Sequence, residues 1–206
     1  MSFYRAHVYP HLVQLLGDPK TIRDVRQRIV PLAHGTVLEI GAGAGANFGH
    51  YDAARVRKLY ALEPNPGMIR LAERERARWK LDVEFLDCPG EHIPLEDGSV
   101  DAIVSTFTLC TIANVAEAMQ EIRRVLKTGG TLIFFEIGVS PDARVRRWQQ
   151  WWEPAHRWLF EGLSLTRDIP ALLIQDNLIV SQIEGVYLTP FPKSWAYASW
   201  GTAICA

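Results

Sequence analysis

The stretch VLEIGAGAGANF, Val37 to Phe48, constrains the fold more than any other part of the 206-residue chain. An apolar run interrupted only by Glu39 meets Gly41, Gly43 and Gly45, the pattern of a buried strand that breaks into a tight loop before a helix. Two ligands suit such a loop. Read as G-x-G-x-x-A through Ala46, it fits a dinucleotide whose pyrophosphate meets helix amides. Read as E-x-G-x-G-x-G from Glu39, it fits a nucleoside that carries no phosphate.

The rest of the chain repeats the strand-and-helix alternation. Apolar runs at 36–40, 57–62, 82–86, 100–105 and 131–137 alternate with helical patterns at 45–53, 66–79 and 114–127, which implies a parallel sheet. Asn65-Pro66 starts the second helix as a cap followed by a first-turn proline. Asn114 and Glu117 start the third, and Gly129-Gly130 is expected to end it. After residue 137 the pattern changes to a polar, tryptophan-rich segment, 141–176, which predicts one or two helices. Two apolar stretches, 178–188 and 195–205, then flank Thr189-Pro190-Phe191-Pro192-Lys193. No helical pattern fits between them, so they read as an antiparallel hairpin closing the sheet.

Composition narrows the function. With 48% hydrophobic residues the chain has material for one compact core, and 22 basic against 23 acidic residues give no global field to recruit nucleic acid. Cys88, Cys110 and Cys205 are scattered, which argues against a disulfide framework or a zinc site and fits a reducing, cytoplasmic setting, and no metal is expected. No apolar run approaches the roughly 18 residues of a membrane span.

Glu39, Glu63 and Asp87 follow one another at 24-residue intervals, one strand-helix unit each, so all three fall at the carboxyl edge of adjacent strands. A lone carboxylate inside an apolar strand is costly to bury unless donors or a cation satisfy it. Loop amides and a ligand ammonium are the expected partners of Glu39.

Five parallel strands followed by an antiparallel pair resemble the seven-stranded sheet of the class I S-adenosylmethionine-dependent methyltransferases. VLEIGAGAG, ALEPNP, LDCPGEHIPLEDGSVDAIVS and VLKTGGTLIFFE resemble that family's motifs in their usual order. The resemblance implies an α/β, Rossmann-like mixed sheet of order 3-2-1-4-5-7-6 in a single domain, 1–206, with S-adenosylmethionine as cofactor. It places Glu63 on the ribose hydroxyls and Asp87 and Cys88 beside the adenine. The cofactor-binding candidates are Glu39, Gly41, Ala42, Gly43, Gly45 and Asn47, then Glu63, Pro64 and Met68, then Asp87 and Cys88, then Thr106 and Phe107. Three acids at one edge also suit a sulfonium cation better than a pyrophosphate.

The run WWEPAHRWLFEGLSLTRD, with GAGAGANF and STFTLCTIAN, further resembles the small alkyl-thiol methyltransferases, although Leu163-Ser164 replaces that family's usual cysteine. It implies in-line transfer of a methyl group to a small-molecule acceptor, foremost a thiol. The family's members include proteins of endoplasmic reticulum and lipid droplets, but the chain opens close to the glycine motif without a long apolar anchor, so membrane residence is not carried over. Candidate catalytic residues are His92, Cys110 and Arg157. His92 also reads as a solvated loop residue and Cys110 as a packing residue, while Arg157 and Arg167 read either as residues that orient an anionic substrate or as helix caps or surface pairs.

Trp148, Trp151, Trp152 and Trp158 are expected to wall the acceptor site if the 141–176 insert folds over the sheet edge. With Arg144, Arg146 and Arg147 they also suit a basic aromatic helix at a membrane surface, serving a phospholipid-amine or quinone acceptor. A solvated helix with a buried tryptophan stripe is the third option. Residues 1–30, with Phe3, Tyr4, His7, Tyr9 and His11, read as a helical lid or as a helix packed on the sheet flank. A non-catalytic cofactor-binding partner of another enzyme is the alternative from a different class.

Overall fold

The computed structural model describes residues 18–160 and 162–206. Helix α1 (Lys20–Ile29) leads into β1 (Gly35–Ile40), β2 (Val56–Leu62), α2 (Pro66–Arg76), β3 (Val83–Leu86), β4 (Val100–Thr106), α3 (Val115–Val125) and β5 (Leu126–Ile137). Helices α4 (Ala143–Leu159) and α5 (Ile169–Gln175) precede β6 (Leu178–Tyr187) and β7 (Tyr197–Cys205). The seven strands lie in the order β3-β2-β1-β4-β5-β7-β6, with β1 to β5 parallel and β7 antiparallel to both β5 and β6. This is the Rossmann-like mixed sheet that the sequence implies.

Strand alternation divides the core between the two sheet faces. Val37, Leu59, Val104 and Phe135 face α1 and α2, packing with Ile22, Val25, Ile29 and Ala72. Leu38, Ile103, Leu132 and Phe134 face α3 and α5, packing with Met119, Ile122, Ile169 and Leu173. Each such side chain contributes about 2 kcal/mol over its exposed state. Helix caps follow the sequence: Asn65 Oδ1 accepts from the Gly67 amide at 2.9 Å, and Asn114 caps α3.

Two local expectations are corrected. No helix spans 45–53; a single 3-10 turn, Phe48–His50, stands there. Gly41, Gly43 and Gly45 take φ of 67°, 57° and 81°, conformations that cannot continue a right-handed helix, and Asn47 turns inward to Glu39. Gly129-Gly130 does not end α3, which stops at Val125. The pair lies at the irregular start of β5, where the pairing with β4 jumps from Val100–Leu126 to Ala102–Thr131. Within 1–30, α1 packs on the sheet face, while Phe3, Tyr4, His7, Tyr9 and His11 lie outside the described residues.

Candidate active site

The carboxyl ends of β1, β2, β3 and β4 deliver their loops to one rim. Glu39 projects from β1 toward the α1 face and is wholly buried. Its Oε1 accepts Asn47 Nδ2 at 2.8 Å and its Oε2 accepts the Tyr51 hydroxyl at 2.9 Å. Asn47 Nδ2 also donates to Thr106 Oγ1 at 3.0 Å, tying the glycine loop to the end of β4. Burial raises the Glu39 carboxyl to about 7, against the opposing pull of Tyr51, Asn47 and the buried Arg26 guanidinium. The expected partners of Glu39 are therefore corrected: side chains, not loop amides, satisfy it. The signal for Tyr51 and Arg26 is weak in sequence, since neither falls in a motif.

The loop amides go to Glu63 instead. Gly43 N–H donates to Glu63 Oε2 and Asn65 N–H to Glu63 Oε1, both at 2.9 Å, so the carboxylate closes the rim between the β1 and β2 loops. A ribose diol is the kind of donor pair that a carboxylate at this rim accepts. The glycines differ in purpose. A Cβ on Gly41 would lie 2.2 Å from Thr108 Oγ1, and one on Gly45 would strike the Phe48 ring at 2.8 Å. Among the described residues, a Cβ on Gly43 would meet nothing closer than 3.9 Å, so its bare backbone faces open space.

Asp87, exposed, follows β3, with Cys88 half-buried beside it; Met68 is buried at the start of α2 and Pro64 is exposed at the rim. Ala42 is buried in the glycine loop, its amide donating to Leu62 O at 3.0 Å. Thr106 ends β4, and Phe107 turns the chain in a left-handed conformation, φ 56°. The Phe107 ring packs 4.5 Å from that of Phe135, with the Arg26 guanidinium 5.9 Å above it.

Glu136, at the end of β5, fixes that turn. It is fully buried and accepts from Ser105 Oγ at 2.7 Å and from the Thr108 and Cys110 amides at 3.1 Å each. Burial raises its pKa, opposed by these bonds. Sequence reading did not single it out, although an acid ending the apolar run TLIFFE carries the same signal as Glu39. The carbonyl side of the turn is held by Arg167, which donates to Leu109 O and to Ile112 O, and by the Ser164 amide, which donates to Cys110 O at 2.8 Å. The carbonyls that Arg167 holds lie in this turn and not at a helix end.

The candidate catalytic residues do not come together. His92 is exposed in the loop after β3, near Glu121 of α3. Cys110 has no exposed surface, and burial beside Glu136 raises its thiol pKa well above the ordinary value, so it packs as a protonated thiol. Arg157 points into solvent from the last turn of α4.

The aromatic wall is also corrected. Trp148, Trp151 and Trp158 face outward, and only Trp152 packs inward, edge-on to Trp195 at 5.6 Å. The inner face of α4 is taken by Gln149, which accepts from the Ser140 amide and donates to Gly138 O, and by His156. His156 is buried between Phe160 and Trp195, at 5.0 and 4.8 Å, and burial lowers its pKa.

The rim fits S-adenosylmethionine on its own chemistry. Among the described residues, Gly43 leaves room for a close backbone approach and Asn47 Oδ1 is buried without a partner, ready for a donor, while the Glu63 carboxylate offers acceptors to a ribose diol. The acidic rim suits a cation. Fold and rim together define a class I S-adenosylmethionine-dependent methyltransferase.

Comparisons narrow this class. Residues 38–134 match the family described as "Methyltransferase domain". Thiol S-methyltransferase TMT1B of Homo sapiens is 34% identical over 202 residues, covering 91% of this chain and 80% of that protein. Thiol S-methyltransferase TMT1A of Homo sapiens is 33% identical over 140 residues, 65% of this chain and 55% of that protein. A geranyl diphosphate methyltransferase solved in complex with SAM shares the fold, with a TM-score of 0.71 and 14% identity over 89% of this chain and 84% of that one. The chain belongs to the family of the TMT1 methyltransferases.

Proposed function

We propose that the chain methylates the sulfur of a small thiol. The observation that carries this reading is the 34% identity to a thiol S-methyltransferase over 91% of the chain, which extends well past the shared methyltransferase domain into α4, the 162–168 loop and the closing hairpin.

Bound at the rim, S-adenosylmethionine supplies a methyl group already activated on a sulfonium. The chain's own task is alignment and exclusion of water. Glu63 and the Gly43 backbone fix one side of the rim, and the clamped Phe107 turn fixes the other. The candidate bases lie elsewhere: His92 is solvated, Cys110 is protonated and Arg157 is a solvated cation. A thiol fits such a site because its own pKa, near about 8.5, supplies thiolate at neutral pH. An amine or a phenol would need more help to lose its proton.

The test presents the purified chain with methyl-labelled S-adenosylmethionine and a panel of alkyl thiols, hydrogen sulfide, catechols, quinols and phosphatidylethanolamine. Label is expected on thiol sulfur. Label on a quinol or amine, with every thiol untouched, would overturn the reading.

A further inference from the structure

Helix α4 presents two unlike faces. Gln149, Trp152 and His156 point inward. Arg144, Arg147, Trp148, Trp151, Ala155 and Trp158 recur at three- and four-residue intervals and make one outward stripe. Trp148, Trp151 and Trp158 are 58%, 65% and 84% exposed. Arg144 and Arg147 flank the first two indoles in a surface groove, and Trp148 and Trp151 meet edge-on at 5.9 Å. The stripe contains no acidic residue.

Three exposed indoles on one helix face are costly in water, because the apolar area of each stays hydrated. Single exposed tryptophans are ordinary; three in register with two arginines form an amphipathic surface. Indole rings favour the boundary between hydrocarbon and water, where the ring is buried and the N–H stays wet. Guanidinium groups beside them favour anionic headgroups. No described helix is long and apolar enough to cross a membrane, so this surface suits contact rather than insertion across the bilayer.

We infer that the outward face of α4 is a docking surface for an anionic lipid bilayer. The charge of the groove selects the lipid, and the indoles supply the apolar anchorage. A protein partner would need an acidic, aromatic-accepting groove; a bilayer supplies both properties on any flat face. The inference is independent of which acceptor the enzyme methylates, since none of the stripe residues belongs to the cofactor rim or to the Phe107 turn.

The experiment is sedimentation of the full chain with vesicles of phosphatidylcholine alone and of phosphatidylcholine mixed with phosphatidylserine. Binding is expected to the mixed vesicles, weakening as salt rises. Arg144→Gln with Arg147→Gln should lower partitioning about 30-fold, and Trp148→Ala with Trp151→Ala about 10-fold or more. Unchanged thermal melting and S-adenosylmethionine affinity in both variants establish that they are folded. No sedimentation with anionic vesicles, equal binding to both vesicle types, or folded variants that bind like the parent would each overturn the inference.

Discussion

Replacing Glu39 by glutamine isolates the electrostatic cost of the buried network. Burial lifts this carboxyl from an ordinary 4.5 to about 7, although Tyr51, Asn47 and Arg26 all favour the charged form. In the unfolded chain the group ionises near 4.5, but in the folded protein only near 7. Between these values the folded state binds more protons, so the Glu39 contribution to stability is greatest below the lower value. It falls as pH rises through the window and levels off above the upper one. The loss amounts to about 3 kcal/mol at neutral to alkaline pH. Glutamine keeps the shape and an acceptor for Asn47 and carries no ionisable proton. Denaturant unfolding at about pH 5 and about pH 8 should find the Glu39→Gln protein within about 1 kcal/mol of the parent at the lower pH and more stable by about 3 kcal/mol at the higher. In thermal melting the difference corresponds to about 10 °C for a domain of this size. Parallel pH profiles for the two proteins would refute the assignment, because the desolvated charge would then be absent.

Three further outcomes follow from the rim. Glu63→Ala should weaken S-adenosylmethionine binding by roughly 2–4 kcal/mol, measured by calorimetry, through loss of charge-assisted acceptors; unchanged affinity would contradict the ribose assignment. Gly43→Ala and Gly98→Ala place a side chain at the same φ, 57°, with no steric contact under 3.9 Å. Both should lose about 1–2 kcal/mol of stability, while only Gly43→Ala should also weaken cofactor affinity, about tenfold or more. Glu136→Ala leaves Ser105 and two turn amides without their acceptor, so it should cost about 3 kcal/mol or more in unfolding experiments. Glu136→Gln should retain more of that stability yet lower kcat/KM, because one of the turn amides then faces a donor.

The sheet and the cofactor rim were legible because their signals are local. Alternating apolar runs, Asn65-Pro66 and the 24-residue spacing of Glu39, Glu63 and Asp87 each follow from strand and helix geometry within a few residues. The partners of Glu39 were not legible in the same way. Tyr51 and Arg26 approach it only once the chain has folded, from a turn and a separate helix, and no spacing rule links them. Helix α4 failed for a different reason. Periodicity places its tryptophans on common faces but does not say which face turns inward. Hydrophobicity alone would bury Trp148, Trp151 and Trp158. The exit of β5, however, leaves the Gly138 carbonyl and the Ser140 amide needing partners, and Gln149 satisfies both at 3.0 and 2.9 Å. An unmet backbone group costs about 1–3 kcal/mol, and two of them fixed together set the rotation of the helix.

That rotation also sets where the chain after α4 meets the rim. Segment 164–167, which follows α4, binds the carbonyls of the Phe107–Ile112 turn through Ser164 and Arg167. Glu136 binds the amides of the same turn, so both edges of its backbone are taken. The left-handed residue Phe107 persists because its surroundings over-determine it. Directly before it, Thr106 joins Asn47, and Asn47 joins Glu39 and the glycine loop. Hydrogen bonds, with the Ser105–Thr106 peptide between them, therefore join segment 164–167 to the strand beneath the glycine loop. The links at Glu136, Asn47 and Glu39 are buried, so a displacement of the turn breaks bonds that water does not replace. The Phe107 turn and the glycine loop are thereby tied into one set, the arrangement that transfer by alignment calls for.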